Sequence, residues 1–188
     1  MADEENAYSF TTKATRQVTL GNLGDDGLKM WRGGCLPEVT LAYESWGTLS
    51  ESADNAILIF TGLSPSAPAA SSAQDASPGW WEYKIGPGKA IDTNQFYVVC
   101  ANTLGGCYGS TGPGSINPDT DQLYGADFPD VTVEDIASSG YYLMRELGVE
   151  KLHAAVGSSM GGMSSIAYAM QYPDDIEYLV SISAATQA

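Results

Sequence analysis

The residues with the clearest chemical potential are Gly157, Ser159 and Gly161, which form a G-x-S-x-G pattern. Apolar residues before it predict a buried strand over 152–156, and an Ala- and Met-bearing run after it predicts a helix over 160–171. A serine on so tight a strand-to-helix turn needs small neighbours, because the two backbones pass closely. We therefore expect Ser159 to present a nucleophilic hydroxyl at the positive end of that helix. The alternative is a chance Gly/Ser loop, since the sequence holds 21 glycines.

A serine hydroxyl needs a base to remove its proton, and the sequence places none nearby. The single histidine, His153, comes six residues before Ser159 on the predicted strand. Six extended residues span about 20 Å, which is far beyond hydrogen-bond reach. His153 is thus expected to be a strand residue. The acidic residues that follow Ser159 are most simply solvent-facing; they are Asp174, Asp175 and Glu177.

Composition predicts one globular domain of 188 residues, with 44% hydrophobic and 16% charged residues. The 23 acidic residues outnumber the 8 basic ones, and a net charge of −15 disfavours nucleic acid and anionic membranes as partners. No apolar run has the roughly 18 residues that a membrane helix requires. The acidic N-terminus has no secretory pattern, and three cysteines without a C-x-x-C pair predict a reducing, cytoplasmic setting. No metal site is predicted.

The predicted elements alternate between strands and helices after an acidic arm over residues 1–14, which we expect to be flexible. Residues 56–60 and 96–101 are continuous apolar runs, typical of strands buried on both faces. A helix is predicted from an N-cap at Thr132, with Asp135 at the third position, to Gly148. Further strands are predicted over 17–20, 39–45, 152–156 and 176–182. This order predicts an α/β fold over residues 15–188, with a mostly parallel sheet flanked by helices.

Several motifs, in the same order along the chain, resemble those of the homoserine O-acetyltransferase family of α/β-hydrolase-fold acyltransferases. They are Leu41–Gly47, Gly79–Glu82, Ile85–Asp92, Leu104–Pro113, Ser115–Pro118 and Gly157–Gly162. The segment Thr61–Ala67 is most similar to the subgroup that acylates serine or homoserine, which includes serine O-succinyltransferases. The resemblance implies an α/β-hydrolase fold of which this chain is the N-terminal part.

The resemblance implies a role for three residues. Ser159 would take the acyl group from acyl-CoA, and the backbone N–H groups of Met160 and Leu63 would form the oxyanion hole. Acetyl-CoA or succinyl-CoA would be a co-substrate, with no tightly bound cofactor, and the acceptor would be homoserine or serine in methionine or cysteine synthesis. The substrates would thus be small molecules.

Three further residues are weaker candidates for substrate binding. Tyr108 lies in the Gly-rich loop that borders the family's active-site tunnel, although packing is the simpler explanation of an aromatic residue among glycines. Lys84 and Lys89 flank a Gly-Pro-Gly turn and could meet a CoA phosphate, although a solvated turn is the simpler explanation. Pro68 stands where relatives generally carry histidine, which leaves the acceptor open.

The family's triad acid and base, its last strands and its lid have no counterpart in this sequence. We therefore expect a core that stops after the strand following the Ser159 helix, and a chain that is inactive by itself. Its partner would be a complementing C-terminal chain or a second copy in a homodimer. Two other functions stay open at this point: a serine esterase or other hydrolase on the same fold, and a non-catalytic half-domain that needs a partner chain.

Overall fold

A computed structural model describes residues 11–186, so most of the predicted 1–14 arm lies outside it. The main sheet has six strands: β1 Arg16–Thr19, β2 Thr40–Trp46, β3 Ala56–Phe60, β4 Tyr97–Ala101, β5 Leu152–Ser158 and β6 Ile176–Ile182. The two α-helices are α1 Val133–Glu146 and α2 Met160–Gln171. Short 3-10 turns cover Gly125–Asp127 and Pro173–Asp175.

Three two-residue strand pairs join Leu28–Lys29 to Cys35–Leu36, Ile85–Gly86 to Ile91–Asp92, and Ile116–Asn117 to Gln122–Leu123. No helix in this part of the chain has the length and apolarity to cross a membrane.

The strands are arranged in the order β1-β2-β4-β3-β5-β6. The four strands β4, β3, β5 and β6 are parallel, whereas β2 pairs antiparallel with both β4 and β1. One row of paired residues crosses the parallel strands through Cys100, Ile59, Val156 and Val180. The predicted α/β fold with a mostly parallel sheet is confirmed.

Both faces of the sheet centre are covered, but by different kinds of structure. Helices α1 and α2 pack on one face, against side chains that include Leu58, Val99 and Ala155. The other face packs against the long segment 61–96, which contributes Ala69, Ile85 and the paired rings of Trp80 and Trp81. All five residues of β3 are buried, as the continuous apolar run predicts for a strand enclosed on both sides.

The segment over the second face is held by the carboxylate of Glu82. It accepts hydrogen bonds from the Ser71 N–H at 2.7 Å, the Ser71 hydroxyl at 3.0 Å and the Gly79 N–H at 3.3 Å. The Lys89 ammonium is 3.2 Å away. These donors, led by the Ser71 N–H, lower the pKa of Glu82 to about 2 because they favour its charged form. Lys89 is therefore an ion-pair partner of this segment.

Helix α1 begins as its sequence predicts. The Thr132 side chain accepts from the Asp135 N–H, and the Asp135 carboxylate accepts from the Thr132 N–H at 2.8 Å, which completes a capping box. Asp135 is buried and also accepts the Trp31 N–H at 2.7 Å, so the cap ties the loop after the first strand to the helix. The helix ends at Glu146, and Gly148 then adopts the left-handed conformation with φ of 79°.

Candidate active site

Ser159 occupies the turn between β5 and α2 in a conformation that non-glycine residues rarely adopt, with φ of 56° and ψ of −126°. Its N–H donates to the Ile182 carbonyl at 3.0 Å, and its carbonyl accepts the Met163 N–H at 3.2 Å. The residue is exposed, and its hydroxyl has no hydrogen-bond partner among residues 11–186. The backbone is thus fixed on both sides while the hydroxyl stays accessible at the carboxyl edge of the sheet.

The small residues around Ser159 are required by the close approach of backbone segments. A Cβ at Gly157 would lie 2.1 Å from the Gly161 carbonyl oxygen, and one at Gly161 would lie 2.1 Å from the Phe60 carbonyl oxygen. A Cβ at Gly162 would lie 2.7 Å from the Ala184 side chain. Both outer glycines of the G-x-S-x-G pattern are therefore dictated by packing, which disfavours the chance-loop interpretation.

Two backbone N–H groups stand close to the serine. Met160 is the first residue of α2, where a helix leaves its N–H groups without an intrahelical acceptor. The Leu63 loop passes beside the turn, since a Cβ on Gly62 would lie 3.6 Å from the Ser158 carbonyl oxygen. Within the described range no acceptor engages the Leu63 N–H. Two amides and a helix N-terminus are thus available to an anionic oxygen at this position.

Asn102, the residue that follows β4, ties together the loops around the serine. Its side-chain oxygen accepts the Ala67 N–H at 2.6 Å, and its amide nitrogen donates to the Tyr108 carbonyl at 2.6 Å. The side chain is buried, and its bond to Ala67 is shielded from water, while the bond to Tyr108 is partly buried. Sequence reasoning missed Asn102, although an isolated polar residue at the carboxyl end of an apolar strand was an available signal.

Pro68 forms the centre of a tight turn that the Ala69 N–H closes on the Ala67 carbonyl at 2.6 Å. Such a turn requires φ near −75°, which proline adopts readily because its ring restricts this angle. Proline at this position is consistent with the local backbone.

The other predicted binding residues lie apart from Ser159. Tyr108 lines a separate cleft of about 550 Å³ together with Thr11 and Gln17. Lys89 bonds to Glu82, and the turn that carries Lys84 and Lys89 leads through Asp92 to the amino end of β4. Ser159 lies at the carboxyl end of the parallel strands, so the structure brings together Ser159, Met160 and Leu63 but not these three residues.

His153 lies near the start of β5, at the far end of that strand from Ser159. Its Nδ1 atom is 3.5 Å from a Glu177 carboxylate oxygen, and its ring stacks on Phe96 with centroids 4.8 Å apart. The His153 imidazole is thus engaged by Glu177 and Phe96 at the amino edge of the sheet. The part of the chain that the structure describes therefore offers no imidazole base to Ser159. Nor do three His, Cys, Asp or Glu side chains within it come close enough to hold a metal ion.

A cleft of about 400 Å³ opens beside the serine turn. Leu63 and Met160 line it, together with residues of the segment before α1 that include Phe128, Asp130 and Val131. The Leu63 side chain is 81% exposed, which is unusual for leucine and leaves an apolar surface at the cleft. The cleft thus adjoins the turn that carries Ser159, because Met160, the next residue, is part of its lining.

Comparison with known proteins agrees with this geometry. A family profile described as alpha/beta hydrolase fold matches residues 55–188. The chain is 56% identical over 161 residues to a serine O-succinyltransferase of Litchfieldella anticariensis, covering 86% of this chain and 44% of that protein. It is 47% identical over 179 residues to an L-serine/homoserine O-acetyltransferase of Streptomyces lavendulae, covering 95% and 47%.

Among solved structures, that of esterase E22 superimposes with a TM-score of 0.82 at 38% identity, covering 92% of this chain and 48% of that one. The chain thus spans less than half the length of each of these proteins.

Proposed function

The chain belongs to the α/β hydrolase fold family, and from this premise we propose that it carries the nucleophile of an acyl-CoA-dependent O-acyltransferase acting on serine or homoserine. The observation that carries the proposal is the exposed Ser159 on a strained turn, with the unbonded N–H groups of Leu63 and Met160 nearby. Relatives named as transferases of an acyl group to serine or homoserine supply the reaction type.

The proposed reaction has two halves. In the first, the Ser159 oxygen attacks the thioester carbonyl, the carbon–sulfur bond breaks, and the CoA sulfur leaves with the proton that the serine hydroxyl gave up. In the second, the acceptor hydroxyl attacks the serine ester, and Ser159 recovers a proton as the new ester departs. Each half passes through an oxyanion, and one fixed donor to such an oxygen contributes about 3 kcal/mol of barrier lowering.

A second candidate is hydrolysis, which the similarity to esterase E22 favours. The two functions differ only in whether water or an amino-acid hydroxyl takes the acyl group from Ser159. Acyl transfer requires that water be kept from the serine ester. The acyl donor is a separate question. Acetyl-CoA and succinyl-CoA are both candidates, since one relative is named an acetyltransferase and another a succinyltransferase.

The test is to follow CoA release from acetyl-CoA and from succinyl-CoA by the enzyme complemented as described below, each with and without L-homoserine or L-serine. We expect CoA release to accelerate at least about tenfold when an acceptor is added. The reason is that a site that excludes water leaves the acyl-serine intact until an acceptor hydroxyl attacks it. Mass spectrometry of the acylated amino acid identifies the product. Release at the same rate without an acceptor would establish the hydrolase instead.

We further propose that the base, and a strand that pairs with β6, come from outside these 188 residues. Among the described residues β6 pairs only with β5. Val180 continues a row whose other members, Cys100, Ile59 and Val156, are at most 6% exposed, yet Val180 itself is 42% exposed. An unpaired apolar edge favours the addition of another strand. The carboxyl end of a parallel strand added there would lie beside Ser159, because Ile182 already bonds to the Ser159 N–H.

This proposal is tested by joining the chain to the C-terminal part of the Litchfieldella anticariensis relative that it does not match. We expect background turnover from the 188-residue chain alone, and at least about 100-fold more after complementation, because a base activates the serine. Val180→Lys is expected to block complementation, whereas Leu123→Lys, at an exposed apolar residue of a remote hairpin, is not. Full turnover by the chain alone as a monomer would refute the proposal, and turnover that rises with dimerisation would assign the role to a second copy.

We also place the protein in the cytoplasm, with no tightly bound cofactor. All three cysteines are free, which is consistent with a reducing compartment.

A further inference from the structure

The cleft beside Ser159 contains one charged side chain in its lining, that of Asp130. Asp130 is exposed, and within residues 11–186 it makes no hydrogen bond or ion pair. The Asp135 carboxylate, five residues further along, is by contrast engaged by the α1 cap and the Trp31 N–H. Asp130 is thus a carboxylate with unused hydrogen-bonding capacity that faces the reaction space.

The surroundings of Asp130 strengthen its effect on a bound ion. The lining around it is largely apolar, with Leu63, Leu104, Phe128 and Val131. Apolar walls lower the local dielectric constant, so a charge in the cleft interacts more strongly than it would in open water. A small cation that enters the cleft would therefore be attracted to this wall.

We infer that Asp130 binds the α-ammonium group of the amino-acid acceptor, an assignment that rests on the proposed function. Of the reactants, only the acceptor carries a positive charge. The phosphates of CoA are anionic, as is the carboxylate of a succinyl group, and Asp130 repels both. The cleft is thus electrostatically suited to the acceptor, and the nucleotide part of the donor has to approach by another route.

The position of Asp130 fits this role. Leu63 and Met160, whose N–H groups would bind the acyl oxygen in the proposed reaction, line the same cleft. In serine and homoserine only a few bonds separate the hydroxyl from the ammonium. An acceptor held at Asp130 by its ammonium therefore keeps its hydroxyl within the same small space as the acyl group on Ser159. Asp130 acts as a specificity residue for amino-acid acceptors over plain alcohols.

The test compares L-homoserine with 4-hydroxybutanoate, which has the same hydroxyl and carboxylate but no ammonium. In the complemented enzyme, Asp130→Asn is expected to raise KM for L-homoserine about fivefold, equivalent to about 1 kcal/mol, and to leave kcat unchanged. KM for 4-hydroxybutanoate should stay the same. Asp127→Asn is the matched control, because Asp127 is an exposed neighbour that does not line the cleft.

A binding measurement on the 188-residue chain does not depend on turnover. In an NMR titration, L-homoserine is expected to shift the Leu63 and Val131 amide signals at lower concentration than 4-hydroxybutanoate does, and Asp130→Asn should remove that difference. Equal effects of the substitution on both compounds, or no effect on either, would overturn the role of Asp130. Failure of the proposed function itself would look different: the wild-type enzyme would then transfer no acyl group to any hydroxyl acceptor.

Discussion

Ser159→Ala is expected to abolish the acyl-enzyme and to lower acyl transfer by about 10⁴-fold or more in the complemented enzyme. The substitution removes the hydroxyl that forms the ester in the proposed reaction, whereas the N–H groups of Leu63 and Met160 remain. In serine hydrolases the loss of the nucleophile costs up to about 10⁶ in kcat, and the oxyanion donors account for the activity that is left. Intact-mass spectrometry after exposure to acetyl-CoA, in the absence of an acceptor amino acid, measures the acyl adduct directly.

Ser158→Ala provides the matched control for this experiment. Ser158 is the preceding residue and ends β5, so the substitution removes a hydroxyl of the same kind one position away. We expect the adduct and the rate to persist in this variant. An adduct that survives Ser159→Ala would assign the nucleophile to another residue and refute the proposed mechanism.

Gly161→Ala is expected to destabilise the protein by at least about 3 kcal/mol, although alanine forms helices better than glycine by about 1 kcal/mol. The new Cβ would lie 2.1 Å from the Phe60 carbonyl oxygen and 2.7 Å from that of Thr61. Both are backbone atoms of β3 and the loop after it, so they cannot move aside as a side chain can. Urea unfolding followed by circular dichroism measures the change in the free energy of unfolding.

The control for the glycine experiment is Gly114→Ala. A Cβ there meets no atom within 4 Å, and the residue is exposed, so we expect a change of no more than about 0.5 kcal/mol. A Gly161→Ala variant as stable as this control would mean that α2 does not pack on the end of β3. The strained turn at Ser159 would then lose its structural basis.

The sequence by itself determined the main elements and the turn that carries the nucleophile. Strands Ala56–Phe60 and Ile176–Ile182 and helix Met160–Gln171 have the predicted bounds. These features depend on local signals: continuous apolar runs, the G-x-S-x-G pattern, and an N-cap such as Thr132. Such signals extend over only a few residues and can therefore be recognised without knowledge of the rest of the chain.

Only the tertiary structure decided which loops meet at the serine. Asn102 joins the loops after β3 and β4, Asp130 reaches the cleft from the segment before α1, and Tyr108 lies in a different cleft. Residues 61–96 cover one face of the sheet with few regular elements and are held by contacts such as those of Glu82. Loops have no hydrophobic period, so their positions depend on contacts between residues distant in sequence, and these arise only when the strands bring the loops to one edge of the sheet.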